Sequence, residues 1–429
     1  MEGQPLLRYL SAGESHGPEL TIVVDGFPSN VPVSKEKIDE QLRRRQMGYG
    51  RGFRQQIETD TVEVTSGIRF GNTLGTPITM VVANRDFKNW TDRMAPFGEK
   101  PEDLKEIYRP RPGHADLAGA IKYDHEDIRN VLERASARNT ATIVAAGALA
   151  KQLLEQFGIL VTAHVVELCD VKATQLPDSL EALMNAADSS EVRCADPDAS
   201  QRMIQKIDEA KANGDTVGGI FEVIVRGCPI GLGSYAMPDR KLDGRLAGAL
   251  MSIQAIKGVE IGLGFEAARR MGSQVHDPIL HDGQRYLRSS NGAGGLEGGV
   301  TNGQDIVVRV AMKPISTLYK PLPSVNMKTK EAELAAIERS DYCALPAASV
   351  VGENVVAWVI ADALIEKLGG DSLEQMKDNW AQYQARVSAM RTLTIVSERH
   401  TYPVLVGAVP CHSCLGRFPR RAWMSAGSQ

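Results

Sequence analysis

Aromatic residues make up only 5% of this 429-residue chain, which leaves few faces on which nucleic-acid bases could stack. A surplus of one charge is also lacking: 49 Lys and Arg stand against 53 Asp and Glu, for a net charge of −4. A dedicated nucleic-acid surface is therefore not expected. Cysteine is sparse as well. Cys169, Cys194, Cys228, Cys343, Cys411 and Cys414 are scattered along the chain and read as reduced thiols rather than a disulfide framework. Cys411 and Cys414 enclose His412, but no second pair stands at zinc-site spacing, so no metal site is expected. The phosphate-loop pattern G-x-x-x-x-G-K-[ST] occurs nowhere, and Gly262-Leu263-Gly264 lacks the third glycine of the dinucleotide fingerprint, which excludes both nucleotide folds. The longest apolar stretch, Ala141 to Leu154, is broken by Gly147 and Lys151 and is shorter than the roughly 20 residues of a membrane span. Met1 to Gly17 shows no basic segment followed by an apolar run and a cleavage site. The expectation is a cytoplasmic protein without a membrane span.

What is present points to an ordinary globular protein, with 43% hydrophobic and 24% charged residues in a chain long enough for a large core. A weak internal echo runs through it. Val23 to Pro28 resembles Ile224 to Pro229, each an apolar strand-like run closed by turn chemistry. Helix-like segments around Leu42 and Leu246 follow. Strand-like runs come next, at Gly75 to Val82 and Gly303 to Val310. Alanine-rich helices close each half, at about Ser136 to Phe157 and Ala347 to Leu368, with Gly158 and Gly369 as caps. Repeats of about 8–170 and 215–370 are expected, joined by surface helices over 172–214, all within one domain of residues 1–390. Residues 391–429 read as a poorly ordered extension.

The densest chemical signal is Gln41 to Arg54, where Arg43, Arg44, Arg45, Arg51 and Arg54 have no acidic residue among them. Such a cluster is costly at low dielectric without an anion, and arginine's planar fork suits carboxylate or phosphate. Gly48, Gly50 and Gly52 suggest a flexible loop that closes over a ligand. A solvated basic face is the structural alternative. A second basic region runs from Arg109-Pro110-Arg111-Pro112-Gly113-His114-Ala115-Asp116 to Arg129, Arg134 and Arg138. There Ser136 and the first turn of the long helix could face a phosphate, although Ser136 also reads simply as a cap. His16, in Gly13-Glu14-Ser15-His16-Gly17, and His114 lie in glycine-rich turns with charged neighbours, a placement that suits general acid work near anions. The six glycines between Asn291 and Gly303 would let backbone approach a flat ligand.

These motifs, with Lys313 to Thr317 and Arg339-Ser340-Asp341, resemble the chorismate synthase family over about Arg8 to Lys377. The resemblance implies an α+β fold, a β-α-β sandwich with an internal pseudo-twofold repeat whose antiparallel sheets pack around a helical layer. It implies a carbon–oxygen lyase of aromatic amino-acid biosynthesis: 5-enolpyruvylshikimate 3-phosphate loses its 3-phosphate and a C6 proton to give chorismate. Reduced FMN is required without net redox change, with NADPH as a source of reductant, and the assembly implied is a homotetramer. By motif, His16 corresponds to the acid on the leaving phosphate and His114 to the donor toward the reduced flavin. Asp341 corresponds to the carboxylate that helps remove the C6 proton, and Ser15 and Ser136 to supporting hydroxyls. Arg45, Arg51 and Arg138 correspond to substrate or nicotinamide-phosphate contacts. Flavin contacts are implied for Arg134, Ala135, Ser136, Gln254, Ala255, Gly298, Gly299, Lys313, Pro314, Ile315, Ser316, Thr317 and Arg339. The small polyanionic substrate carries roughly four negative charges at neutral pH. The alternatives are an FMN-dependent oxidoreductase acting on an anionic substrate and an RNA-binding protein using the Arg-Gly loop.

Overall fold

The computed structural model describes residues 6–52, 59–282, 286–338, 340–389, 393–396 and 401–404. The chain begins with β1 (Arg8–Ala12) and β2 (Glu19–Asp25), then α1 (Lys35–Gln46), β3 (Glu63–Ser66) and β4 (Ile78–Ala83). Short helices α2 (Asp116–Tyr123) and α3 (Arg129–Ala135) lead into α4 (Thr140–Glu155). The second half starts with β5 (Leu160–Leu168) and β6 (Val171–Lys172), continues through α5 (Leu180–Ser189) and α6 (Pro197–Ala212), and reaches β7 (Gly219–Arg226). It closes with α7 (Leu242–Met251), β8 (Ile256–Ile261), β9 (Ile306–Met312), α8 (Leu345–Leu368) and α9 (Leu373–Ala389).

All named strand pairs are antiparallel. The first sheet runs β1-β2-β4-β3 and the second β6-β5-β7-β9-β8. With the two-residue edge strand β6 set aside, both place their strands in the order first, second, fourth, third. In both, a helix lies between the second and third strands and a long helix follows the fourth. Alternation along each strand decides which face is buried. Leu20, Ile22 and Val24 of β2 point inward with Met80 and Val82 of β4, as do Phe221, Val223, Val308 and Val310 across β7 and β9. The first sheet packs on α4 and the second on α8, and the two helices pack on each other. The result is a sheet–helix–sheet sandwich around one core cluster.

Four sequence expectations need correction. Among the described residues the helix long and apolar enough to cross a membrane is α8, not the segment Ala141 to Leu154, yet nearly all of its 24 residues are buried inside the protein. Helices apolar on all sides belong in the centre of a layered fold. The first long helix begins at Thr140, because Ser136 is extended and ends α3. The connecting segment is more than surface: Val192, Cys194, Met203 and Ile207 are buried in the main core, and the second sheet already begins with β5 and β6. Within the glycine-rich run, Gly294 packs on backbone, since a Cβ there would lie 2.3 Å from the Gly262 nitrogen, whereas one on Gly298 would have only the Tyr235 side chain within 4 Å. Of the extension, Leu393–Val396 and Thr401–Val404 pair as antiparallel strands; Cys411 and Cys414 lie outside the described residues.

The α4–α8 crossing depends on a missing side chain. A Cβ on Gly147 would come within 2.4 Å of both the Cβ and the carbonyl oxygen of Asn354. Gly147→Ala is expected to force the central helices apart at a cost of about 1–3 kcal/mol, read as a lower urea midpoint. Gly248→Ala, on the exposed side of α7 with nothing within 4 Å, is expected to be neutral or to stabilise by up to about 1 kcal/mol.

Candidate active site

A cavity of about 700 Å³ lies where the turns of the first half meet the second half at β9 and the first turns of α8. Its wall carries Arg45, Arg51, Arg93, Arg111, Arg138 and Lys313 against the carboxylates Asp86, Glu338 and Asp341. Ala344, Ala347, Ala348 and Val351 from the start of α8, with Ile253, Met312 and Ile315, form its apolar side. The first turn of a 24-residue helix also brings positive partial charge to this side.

The arginines are not uncompensated, as the local sequence suggested. Arg43 to Arg45 belong to the last turn of α1 rather than to a loop, and each described arginine of the cluster has a carboxylate partner. Arg43 pairs with Glu40 at 2.6 Å and Arg44 with Glu353 at 2.6 Å. Arg45 reaches Asp60 at 2.7 Å and Arg51 reaches Asp341 at 3.0 Å. Arg54 lies outside the described residues. Asp60 also holds Arg138, whose Nη1 is 2.8 Å and 2.7 Å from its two oxygens, so one buried carboxylate serves two guanidinium groups. Burial lowers the Arg45 guanidinium to about 10, with Asp60 opposing and Arg138 reinforcing the shift. Burial alone would raise the Asp60 carboxyl, but Arg45 and Arg138 outweigh it and hold it below its usual range. The Nε atoms of Arg45 and Arg51 are buried without a hydrogen-bond partner.

Both candidate histidines line the cavity, and each has a carboxylate on Nδ1. His16 Nδ1 is 2.9 Å from Glu133 Oε1, and the ring packs on Trp90 with centroids 4.2 Å apart. His114 Nδ1 is 2.5 Å from Asp116 Oδ1. Arg111 binds the same carboxylate through Nε at 2.8 Å and donates to Thr317 Oγ1 at 2.8 Å. Burial opposes ionisation of Asp116, but hydrogen bonds from His114 and Arg111 hold its carboxyl well below the usual range. Asp341 accepts from Gly52 N–H at 2.7 Å as well as from Arg51.

Two features set one part of this wall apart. Gln254 Oε1 is buried against this cavity with no partner. Beside it Ala255 has φ 66°, a left-handed conformation that alanine rarely adopts and that strained functional sites retain.

A family model described as chorismate synthase matches residues 7–365. The chain belongs to the chorismate synthase family. It is 57% identical over 383 residues to chorismate synthase 2 of Bacillus cereus, covering 88% of this chain and 98% of that protein. Chorismate synthase 1 of Bacillus anthracis is 56% identical over the same shares. A crystal structure of chorismate synthase matches with a TM-score of 0.72 at 45% identity, covering 89% of this chain and 98% of its own.

Of the residues implied by the family motifs, the cavity wall brings together Ser15, His16, Arg45, Arg51, His114, Ala135, Ser136, Arg138, Gln254, Ala255, Lys313, Ile315, Ser316, Thr317 and Asp341. It does not include Arg134, Gly298, Gly299 or Pro314. Arg134 instead donates to Ser11 and Gly13 carbonyls and to Asn139. Gly299 accepts from Leu242 N–H at the start of α7. Arg339 lies outside the described residues. Among the described residues no group of three or more His, Cys, Asp or Glu could hold a metal ion. The sequence reading missed Asp60, Glu133 and Trp90 as parts of the site; no spacing rule marks them, because their partners are distant in sequence.

Asp60→Asn is expected to cost about 3–5 kcal/mol, since it leaves two buried guanidinium groups facing each other. Millimolar sulfate should restore part of the lost thermal midpoint by supplying an anion. Because the folded-state carboxyls of Asp60, Asp116 and Glu133 are held below their unfolded values, the stability they add is complete above about pH 4.5 and is lost as pH falls through the folded values. Acid titration of the melting temperature should therefore fall less steeply in the Asp60→Asn variant.

Proposed function

We propose that this cavity carries out the family reaction, elimination of the 3-phosphate and a C6 proton from 5-enolpyruvylshikimate 3-phosphate to give chorismate. The carrying observation is a single cavity that joins two carboxylate-backed histidines, a positive wall and an apolar side. The substrate brings two carboxylates and a phosphate, and moving those charges out of water costs many kcal/mol unless cations meet them. Arg45, Arg51 and Arg138 are proposed to supply that counter-charge, with their backing carboxylates holding each fork in place before the substrate arrives.

Members of the family require a reduced flavin, and FMN is the form proposed here, with NADPH as a source of reductant. When bound, it supplies electron density to the breaking C3–O bond without net oxidation. Gln254, Ala255, Lys313, Ile315, Ser316 and Thr317 are the residues proposed to hold it. Burial, with Lys257 nearby, lowers the Lys313 ammonium, a shift that an anionic neighbour would oppose. His16 is proposed to protonate the departing phosphate through Nε2, the ring nitrogen that Glu133 does not engage. His114 is proposed as the proton donor on the flavin side, and Asp341 as the carboxylate for the C6 proton. Arg51 Nη1 and Gly52 N–H each engage one Asp341 oxygen, and a substrate anion that draws Arg51 to itself would leave Oδ2 for the C6 proton. Ser15 and Ser136 are proposed as supporting hydroxyls. Apolar walls exclude water from the reacting anions. A homotetramer in the cytoplasm completes the proposal.

His16→Ala and His114→Ala are each expected to lower kcat by about 10²- to 10⁴-fold with KM changed far less. The test is anaerobic incubation with the phosphorylated substrate and dithionite-reduced FMN, following chorismate and phosphate. Stoichiometric consumption of reduced flavin would instead favour an oxidoreductase, and full activity in both variants would remove the histidines from the reaction.

A further inference from the structure

The best-defined polar arrangement outside the assigned groups surrounds Glu133 of α3, which is 3% exposed. Its carboxylate is surrounded by donors. Oε2 accepts from the His16 backbone N–H at 2.7 Å, and Oε1 from Nδ1 of the same residue at 2.9 Å. Arg129 Nη1 adds a third donor to Oε1 at 3.1 Å. The Glu133 carbonyl also accepts from Ser15 N–H at 3.0 Å. Main chain and side chain of one residue thus grip the Ser15-His16 pair.

The ring is restrained on its face as well. Trp90 packs on it, and the Arg129 guanidinium lies 5.1 Å from the Trp90 centroid while its Nη2 reaches Glu338 Oε1 at 3.1 Å. A ring flipped about its own axis would present a carbon to Glu133 and lose the hydrogen bond. Burial would raise the Glu133 carboxyl, yet His16 and Arg129 outweigh it and hold it below the usual range, so it stays anionic. An anionic carboxylate has no proton to give, and Nδ1 must therefore be the donor.

We propose that Glu133 is a positioning residue for the reaction: it keeps the proton of neutral His16 on Nδ1, which leaves Nε2 as the atom that takes up and delivers protons in the cavity. This rests on the reading of His16 as the acid. A glutamine in place of Glu133 cannot reproduce the arrangement, because its amide nitrogen would face one of the three donors.

The experiment uses the full-length protein labelled with ¹⁵N, and reads the His16 tautomer by long-range ¹⁵N–¹H correlation alongside anaerobic kcat and KM with reduced FMN. Wild-type His16 is expected to carry its neutral-state proton on Nδ1. Glu133→Gln should lose that preference and lower kcat about 10- to 100-fold with KM within about threefold. Glu133→Asp keeps the charge and is expected to recover part of both. A wild-type Nε2–H tautomer, unchanged kcat in E133Q, or E133D no better than E133Q would each overturn the proposal. The wild-type spectrum decides the case if a variant does not fold. His16→Asn separates the two claims: normal turnover there would refute the reading of His16 itself, whatever its tautomer.

Discussion

Asp60 sits between Arg45 and Arg138, and the cavity takes its form from that contact. It ties the last turn of α1 to the turn that starts α4 and to the segment entering β3. Each ion would lose several kcal/mol of hydration on burial, and the attraction offsets this only with good geometry and further hydrogen bonds. Those bonds are present: Arg138 also reaches Asn84 at 2.8 Å, and Arg45 reaches Thr140 at 3.2 Å. One carboxylate for two guanidinium groups leaves a local positive surplus. The groups that stabilise this corner are therefore the same ones proposed to meet the polyanionic substrate.

The sandwich supplies the rigidity that such an arrangement needs. Glu353, buried on α8, holds Arg44 of α1, pairs with Lys151 of α4 and accepts from Ala163 N–H on β5 at 3.0 Å. Burial opposes its ionisation, but Arg44 and Lys151 hold its carboxyl far below the usual range. Arg44 and Arg45 are adjacent, so the residue that fixes α1 to the core stands beside the one that enters the cavity. Arg193, from the connecting segment, bonds Asp188 at 2.5 Å and completes this anchor.

Much of the fold was legible because alternation and composition report burial directly. The inward residues of β2 and β9 stand in strict alternation, and both long helices were found within a few residues of their ends. Motif content led to His16, His114, Asp341 and most of the cavity wall. Charge balance was not legible from local sequence. The partners of Arg44, Arg45 and Arg51 are Glu353, Asp60 and Asp341, and pairing at such separations follows from tertiary packing alone. For the same reason Glu133 and Trp90 carried no signal, and neither did the close backbone packing of Gly292, Gly294 and Gly295 within the glycine-rich run.

The decisive measurement is a crystal structure of the protein soaked anaerobically with substrate and reduced FMN. Substrate anions are expected within hydrogen-bond reach of Arg45 and Arg51, the flavin edge against Gln254, and the phosphate beside His16 Nε2. Substrate bound elsewhere, with the Arg45–Asp60–Arg138 group unchanged and the cavity filled only by water, would contradict this arrangement.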